Sequence, residues 1–184
     1  DYDEVSAAAP ADLLVVGLGN PGMQYVGTRH NIGADVIEKL AHRAGASLSP
    51  APREHSRAVR VQRGTLTIVF AKPDTYMNRS GKAVAALCQA HSINEGARIV
   101  VVHDELDLPP GRLKLKQGGG EAGHNGLRSI VQHVQSTDFV RVRIGVGKPP
   151  KVAVELAADA VEMILDHGLE KAMGAFNGKV AEQK

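Results

Sequence analysis

Residues 13–31, LLVVGLGNPGMQYVGTRHN, hold the strongest structural signal in this 184-residue chain. The apolar run over residues 13–16 predicts a buried parallel strand. The glycine- and proline-rich turn that follows favours irregular backbone, which holds Asn20 at the carboxyl end of that strand. Ligands bind at this end of the strands in open α/β sheets. We therefore expect Asn20 and the downstream His30 to lie on the rim of a binding site.

The spacing Gly17-x-Gly19-x-x-Gly22 also matches the dinucleotide-binding fingerprint. In that fingerprint the turn leads directly into a helix, whose amino end receives the pyrophosphate. Here the segment MQYVGTRH intervenes, and a helical period of apolar residues starts only at Ile32. No acidic residue is clearly placed to bind a ribose. The context therefore argues against a nucleotide site.

Apolar patterns of strand and helix type alternate along the rest of the chain. Predicted strands are centred on residues 59–61, 66–70, 99–102, 112–116 and 140–146, and predicted helices on residues 32–41, 81–91, 127–134, 154–165 and 169–176. This order predicts an α/β fold, a single-domain three-layer sandwich whose twisted mixed, mostly parallel sheet carries helices on both faces. We expect residues 13–184 to form that one domain, after a loose acidic leader over residues 1–12.

Composition restricts the class of protein. The chain is 43% hydrophobic and carries a formal net charge of +2, so a basic site for nucleic acid has to be local. The one cysteine, Cys88, lies in an apolar helical pattern and fits a core residue in a protein of the reducing cytoplasm. No segment has the length or the hydrophobicity of a membrane span, and residues 1–12 do not resemble a signal peptide.

Polar residues that can carry chemistry follow the predicted strands and loops. They are Asn20, His30, Asn78, Asp104 and Asn125. A histidine oriented by an aspartate is the simplest general base, and side-chain amides can polarise a carbonyl group. No GxSxG elbow is present, and Ser80 fits a helix cap better than a nucleophile. The pattern therefore favours water as the nucleophile and an acyl ester attached to a peptide as the substrate.

A metal site is the competing chemistry. Its possible ligands are His30, His103, Asp104, Glu105, Asp107 and His124. No paired spacing such as HExxH occurs among them, so we expect no metal and no cofactor. Glu105 and Asp107 fit a solvated turn before the two prolines at 109 and 110.

Basic residues recur with period two on two of the predicted strands. They are Arg112, Lys114, Lys116, Arg141 and Arg143. If the two strands are neighbours, these side chains form a cationic patch that suits phosphates. The glycine loop at residues 118–120 would let a bulky ligand approach that patch. Ordinary solvated strand faces would show the same pattern, so the pattern leaves both interpretations open.

Four groups of motifs resemble the bacterial-type peptidyl-tRNA hydrolase family. They are VVGLGNPG with TRHNIG, KPDTYMNRSG, HDELDLPPGRLKLKQGGG with GHNGLRS, and FVRVRIGVGKP. The resemblance implies a single-domain α/β esterase that cleaves the peptide from prematurely released peptidyl-tRNA, without metal or cofactor, and so recycles the tRNA. We expect it to be a cytoplasmic monomer. It implies that His30 activates water, that Asp104 orients His30, and that Asn20 positions the substrate.

The same resemblance implies roles for residues around that centre. Peptide and ester would be bound by Tyr25, Met77, Asn78, His124 and Asn125. The tRNA 5′ phosphate would be bound by Lys114, Lys116 and Arg143.

This chain departs from the family pattern at three places. Ala34 replaces an aromatic residue and Ala122 replaces a glycine, and neither change removes a catalytic group. At residues 150–152 the family has a longer lid-like connection, which is short or missing here. The alternative function is a non-catalytic RNA-binding relative similar to organellar splicing factors. The presence of both His30 and Asp104 argues against that alternative.

Overall fold

The computed structural model describes residues 2–3, 10–22, 31–121, 123–146 and 150–178. Its strands are β1 (Tyr2–Asp3), β2 (Leu13–Gly17), β3 (Ser49–Ala51), β4 (Ser56–Arg63), β5 (Leu66–Pro73), β6 (Ile99–Glu105), β7 (Leu113–Gln117) and β8 (Val140–Gly145). Its helices are α1 (Ile32–Arg43), α2 (Ser80–Ala90), α3 (Asn125–Val134), α4 (Pro150–His167) and α5 (Leu169–Phe176).

The strands form one mixed sheet in the order β1-β4-β5-β2-β6-β8-β7, with β3 paired to β4. The central pairs β5–β2, β2–β6 and β6–β8 are parallel. The outer pairs are antiparallel, so β4 and β7 alone among the described strands run against the common direction. The predicted mixed, mostly parallel sheet is confirmed.

Helices cover both faces of the sheet, which confirms the predicted three-layer sandwich. On one face α1, α4 and α5 pack against side chains that include Val15, Phe70 and Val102. On the other face α2 and α3 pack against the alternate residues of the same strands, among them Val16. Successive strand residues point to opposite faces, so a strand between two helical layers must be apolar throughout. The continuous apolar runs in β2 and β6 have this origin.

Helix α1 begins very close to the sheet because two glycines permit backbone contact. A Cβ atom on Gly17 would collide with the carbonyl oxygen of Gly33, and one on Gly33 would collide with that of Val102. Gly17, the first glycine of the literal dinucleotide pattern, therefore serves helix-to-sheet packing. Helix α1 begins at Ile32, as the sequence predicts, and not directly after the glycine turn.

The expectation of a loose leader is wrong for part of residues 1–12. Tyr2 and Asp3 form β1, which pairs with β4. Ala11 is buried, and Asp12 accepts a hydrogen bond from the Thr67 backbone at 2.8 Å. These residues bury apolar surface and complete the edge of the sheet, which the acidic composition of the segment does not reveal.

Two polar side chains at helix starts bind the preceding loop, so Ser80 is not the helix cap that the sequence predicts. Asn31 precedes α1 without a capping hydrogen bond, because its side chain binds the backbone of Asn20. Ser80 lies inside α2, and its hydroxyl donates to the carbonyl of Met77 at 2.7 Å. Both side chains bind the loop before the helix, so they stabilise the loops at the carboxyl edge of the sheet.

The segment that carries the predicted lid difference lies partly outside the described residues. Strand β8 ends at Gly145, α4 begins at Pro150, and residues 147–149 are not described. The short or missing lid therefore stays a prediction. In the part of the chain that the structure describes, no helix combines the length and apolar character needed to cross a membrane.

Candidate active site

Asn20 lies where the sequence predicts, beyond the carboxyl end of β2. Its side-chain oxygen accepts a hydrogen bond from the backbone N–H of Met77 at 2.7 Å. Its backbone N–H donates to the side-chain oxygen of Asn31, also at 2.7 Å. Asn20 thus links the β2 loop to the turn before α2. Because its carbonyl oxygen is engaged, the NH2 group of the amide is the donor suited to a ligand carbonyl.

Asp104 is the penultimate residue of β6 and is buried, with 3% of its surface exposed. One of its carboxylate oxygens lies 2.8 Å from Nε2 of His124. Nδ1 of His124 accepts hydrogen bonds from the backbone N–H groups of Gly126 and Leu127, at 3.1 and 3.3 Å. An accepting Nδ1 carries no proton, so Nε2 is the protonated nitrogen and donates to Asp104. His124 is therefore both the cap of α3 and a partner of Asp104.

His103 is fully buried beside this pair. Its Nδ1 lies 2.7 Å from the carbonyl oxygen of Asp104 and donates to it, and its ring meets that of His124 edge to face. Burial first, and then the neighbouring His124, lower the pKa of His103 to about 3. Its ring is therefore neutral near pH 7, and its Nδ1 is held by the backbone of β6.

Asp104 and His124 line an open pocket of about 330 Å³ at the carboxyl ends of β2 and β6. We call it the Asp104 pocket. Its other lining residues are Asn20, Met77, Glu105, Leu106, Gly123 and Asn125. Five of the predicted site residues therefore meet in one cavity, where a buried acid lies beside amide groups and apolar surface.

Glu105 is not the solvated turn residue that the sequence predicts. It ends β6, is 5% exposed, and accepts a hydrogen bond from Nε of Arg143 at 2.9 Å. Strand β6 continues to this residue because β8 pairs with it as far as Gly145. Asp107 is exposed, as expected.

Glu105 also lines a second cavity, of about 200 Å³, together with His103, Lys116, Gly120, Leu127, Arg141 and Arg143. We call it the cationic cavity. It forms because β7 and β8 are antiparallel neighbours, with Lys114 opposite Arg143 and Lys116 opposite Arg141. Burial and the nearby arginines lower the pKa of Lys116, as expected for cations that crowd around a space suited to an anion. The two basic strands are thus neighbours in the sheet, which is the condition for a cationic patch that the sequence left open.

Arg141 departs from the patch of exposed cations that the alternation predicts. It is 1% exposed, and its guanidinium donates to the backbone carbonyls of Gly119, Gly120 and Thr137. The guanidinium also stacks on the ring of Phe139, 4.3 Å from the ring centroid. Period-two spacing cannot show this role, since it depends on where the glycine loop folds.

The other predicted residues of the catalytic centre are His30, Tyr25 and Asn78. His30 and Tyr25 lie outside the described residues. Asn78 follows Met77, but its side chain is exposed and is not among the residues that line the pocket. The predicted contact of Asp104 with His30 therefore stays a prediction. The contact with His124 is one that the sequence did not single out.

The structure also bears on the metal site and on the core role predicted for Cys88. Within the described ranges no cluster of three or more histidine, cysteine or acidic residues could hold a metal ion. Cys88 lies on the buried face of α2, and burial raises the pKa of its thiol to about 11, so the predicted core role is confirmed.

These features define a class: an α/β protein whose parallel strands end at an acid–imidazole pair, with a cationic cavity beside it. A family model described as peptidyl-tRNA hydrolase matches residues 14–154. The chain is 45% identical over 195 aligned residues to the peptidyl-tRNA hydrolase of Cutibacterium acnes. The alignment covers 89% of this chain and 97% of that protein. The Mycobacterium marinum enzyme of that name is 44% identical over 181 residues, covering 87% and 94%.

Solved structures agree with these relatives. The crystal structure of peptidyl-tRNA hydrolase from Acinetobacter baumannii superposes with a TM-score of 0.84 at 34% identity, covering 95% of this chain and 100% of that one. The chain belongs to the peptidyl-tRNA hydrolase family, a family of enzymes. The resemblance that the sequence motifs indicate is confirmed.

Proposed function

We propose that this chain hydrolyses the ester bond between peptide and tRNA in peptidyl-tRNA, with His30 as the base that activates water. One observation carries the proposal: Glu105 lines both the Asp104 pocket and the cationic cavity, so the two sites adjoin. A substrate that carries an ester and a nearby phosphate on one molecule fits two such adjoining sites.

The other histidines at the site support His30 as the base. His124 uses Nε2 toward Asp104 and Nδ1 toward the start of α3, so neither nitrogen is open to a water proton. His103 is buried and its pKa is lowered to about 3. The remaining described histidines lie away from the pocket, which leaves His30, predicted from the HNIG motif.

In the proposed reaction His30 takes a proton from water as the oxygen attacks the ester carbonyl carbon. Asp104 stabilises the imidazolium, and the amide NH2 of Asn20, which lines the Asp104 pocket, donates to the developing oxyanion. Collapse of the intermediate releases the peptide carboxylate, and the ribose oxygen leaves with the proton from His30. The products are a free peptide and a tRNA with a free terminal hydroxyl.

Peptide and phosphate would be bound on either side of this centre. Asn125, Met77, His124 and Tyr25 would contact the peptide or the tRNA end. Lys116 and Arg143, with Lys114 at the rim, would bind the 5′ phosphate. We propose that the protein acts as a cytoplasmic monomer. Its substrate is made in the cytoplasm. The described residues have two exposed large apolar side chains, Leu106, which lines the Asp104 pocket, and Tyr76, which directly precedes the lining residue Met77.

The test is release of tRNA from an N-acylaminoacyl-tRNA. His30→Ala should lower kcat by about 10²–10⁴-fold without changing the affinity for deacylated tRNA, because general-base help contributes that much. Asp104→Asn should lower kcat more than it raises KM. His167→Ala, an exposed histidine at the end of α4, is the matched control and should turn over normally.

Two results would contradict the proposal in different ways. Normal turnover by His30→Ala would remove the assigned base. Tight tRNA binding by the unaltered chain without any ester cleavage would instead favour the non-catalytic RNA-binding alternative.

A further inference from the structure

We infer that Arg141 is a positioning residue: it ties the glycine loop at residues 118–120 to the sheet and thereby aligns the cationic cavity with the Asp104 pocket. The inference rests on the proposed ester hydrolysis. It assigns Arg141 a role other than binding phosphate, although the residue lines the cavity.

The loop needs such a tether because its carbonyls lie outside any helix or strand. Residues 118 and 119 adopt positive φ angles of 71° and 101°, so the chain leaves the extended path of β7. Nη2 of Arg141 donates to the carbonyl of Gly119 at 3.0 Å and to that of Thr137 at 3.2 Å, and Nη1 donates to that of Gly120. A planar guanidinium can serve three carbonyls at once, whereas an ammonium on a flexible stem cannot hold this geometry.

The tethered loop connects the two sites along the chain. It leaves β7 directly after Lys116 and Gln117. The backbone N–H of Gly118 donates a hydrogen bond to the carbonyl of Phe139 at 3.1 Å. Beyond the loop, the backbone N–H of His124 donates to the carbonyl of Glu121 at 2.9 Å. A shift of the loop would therefore move Lys116 at one end and the partner of Asp104 at the other.

Arg141 is poorly suited to bind the phosphate itself. Both terminal nitrogens of its guanidinium already donate to carbonyls, its face is stacked on Phe139, and it is 1% exposed. Its Nε has no hydrogen-bond partner among the described residues, but it is fully buried. Burial and the nearby Arg143 lower its pKa, which is the direction expected for a cation held by neutral carbonyls instead of by an anion.

The experiment compares Arg141→Lys and Arg141→Gln in turnover, in the salt dependence of deacylated tRNA binding, and in hydrogen exchange. We expect kcat to fall by about ten- to a hundredfold in both variants, since small misplacements of catalytic groups cost that much. The slope of log affinity against log salt should stay at the wild-type value. Faster exchange should be confined to the loop and its flanks.

Two controls calibrate the slope. Lys116→Gln removes a proposed phosphate contact and should reduce the slope by about one unit. Arg98→Gln removes an exposed arginine at the start of β6 and should leave slope and turnover unchanged. A phosphate ligand at position 141 would behave like Lys116: a reduced slope in Arg141→Gln, restored in Arg141→Lys, would overturn the inference. Wild-type turnover in both Arg141 variants would overturn it as well.

A second variant covers the case in which the Arg141 variants do not fold. Gly118→Ala strains the backbone of the loop, because residue 118 has a positive φ angle. The new Cβ causes no clash, since the nearest atom, the carbonyl oxygen of Thr137, is 3.8 Å away. It should lower kcat by about tenfold at an unchanged salt slope, and normal kcat would refute the tether. If the unaltered chain cleaves no ester, the proposed function fails, while exchange and tRNA binding still decide whether Arg141 anchors the loop.

Discussion

At the scale of single residues, His124 serves helix α3 and Asp104 at the same time. Its Nδ1 accepts two backbone N–H groups at the helix start, where four such groups lack intrahelical partners. Its Nε2 meets the buried carboxylate that we propose to orient the catalytic base. These two contacts can be separated by substitution, because asparagine caps helices well but is too short to span both groups.

We expect His124→Ala to lower the free energy of unfolding by about 1 kcal/mol through loss of the cap, and His124→Asn to recover most of it. Both variants should lose activity, because Asp104 loses a hydrogen-bond donor in each. Urea denaturation and ester cleavage measure the two effects. Equal stability loss in both variants would mean that His124 does not act as a cap.

Lys116 offers a test by pH. Its pKa is lowered, chiefly by burial and then by Arg143 and Arg141. The Lys116 ammonium is charged, and so binds phosphate, only below its pKa. An ordinary lysine has a pKa of 10.5, so tRNA affinity should weaken at a lower pH than the loss of charge on an ordinary lysine would cause. Lys116→Arg should abolish this alkaline loss, because arginine stays protonated. Fluorescence anisotropy with deacylated tRNA measures it, and Lys114→Arg is the control that should retain the loss.

At the scale of elements, close packing of the backbones of α2 and α3 positions Met77 and His124, which both line the Asp104 pocket. Helices α2 and α3 meet at Gly81, where a Cβ atom would collide with the carbonyl oxygen of Ser129. The backbone N–H of Gly81 also donates to Oγ of Ser129 at 2.8 Å. This contact fixes the start of α2 next to α3, and so holds Met77 near His124 across the Asp104 pocket.

Gly81→Ala should therefore lower the free energy of unfolding by about 1–3 kcal/mol, as overpacking does. Gly174→Ala is the matched substitution in α5, where the new Cβ meets no atom within 4 Å. It should raise stability by about 0.5–1 kcal/mol, because alanine favours the helix. Opposite signs in urea denaturation would support the packing argument, and equal signs would contradict it.

At the scale of the whole molecule, one carboxylate joins four elements on the face away from the Asp104 pocket. Glu162 of α4 accepts hydrogen bonds from the hydroxyl of Tyr2 at 2.7 Å, from Arg43 at 2.6 Å and from Arg63 at 3.2 Å. These partners belong to β1, α1 and β4. The contacts bind the start of the chain and the late helix α4 to the same sheet edge.

Glu162→Gln should lower the free energy of unfolding by about 1–2 kcal/mol, because hydrogen bonds to a charged group contribute more than neutral ones. This loss of stability is smaller than for a fully buried ion pair, because the Glu162 side chain is 18% exposed and solvent screens its charge. The control is Glu95→Gln, which replaces an exposed carboxylate shortly before β6. It should change the free energy of unfolding by less than about 0.5 kcal/mol. A loss in Glu162→Gln no larger than in this control would contradict the role of the network.

Sequence alone determined the layers, the mostly parallel sheet, the family and most of the residues around the Asp104 pocket. Local patterns suffice for these features, since strand and helix periods are encoded residue by residue and parallel strands expose their carboxyl ends together. Only the tertiary structure decided that Glu105 pairs with Arg143, that Arg141 holds a loop, and that His124 meets Asp104. These contacts join residues 20 or more positions apart, and the distance between their side chains depends on how strands and loops pack, which no periodicity records.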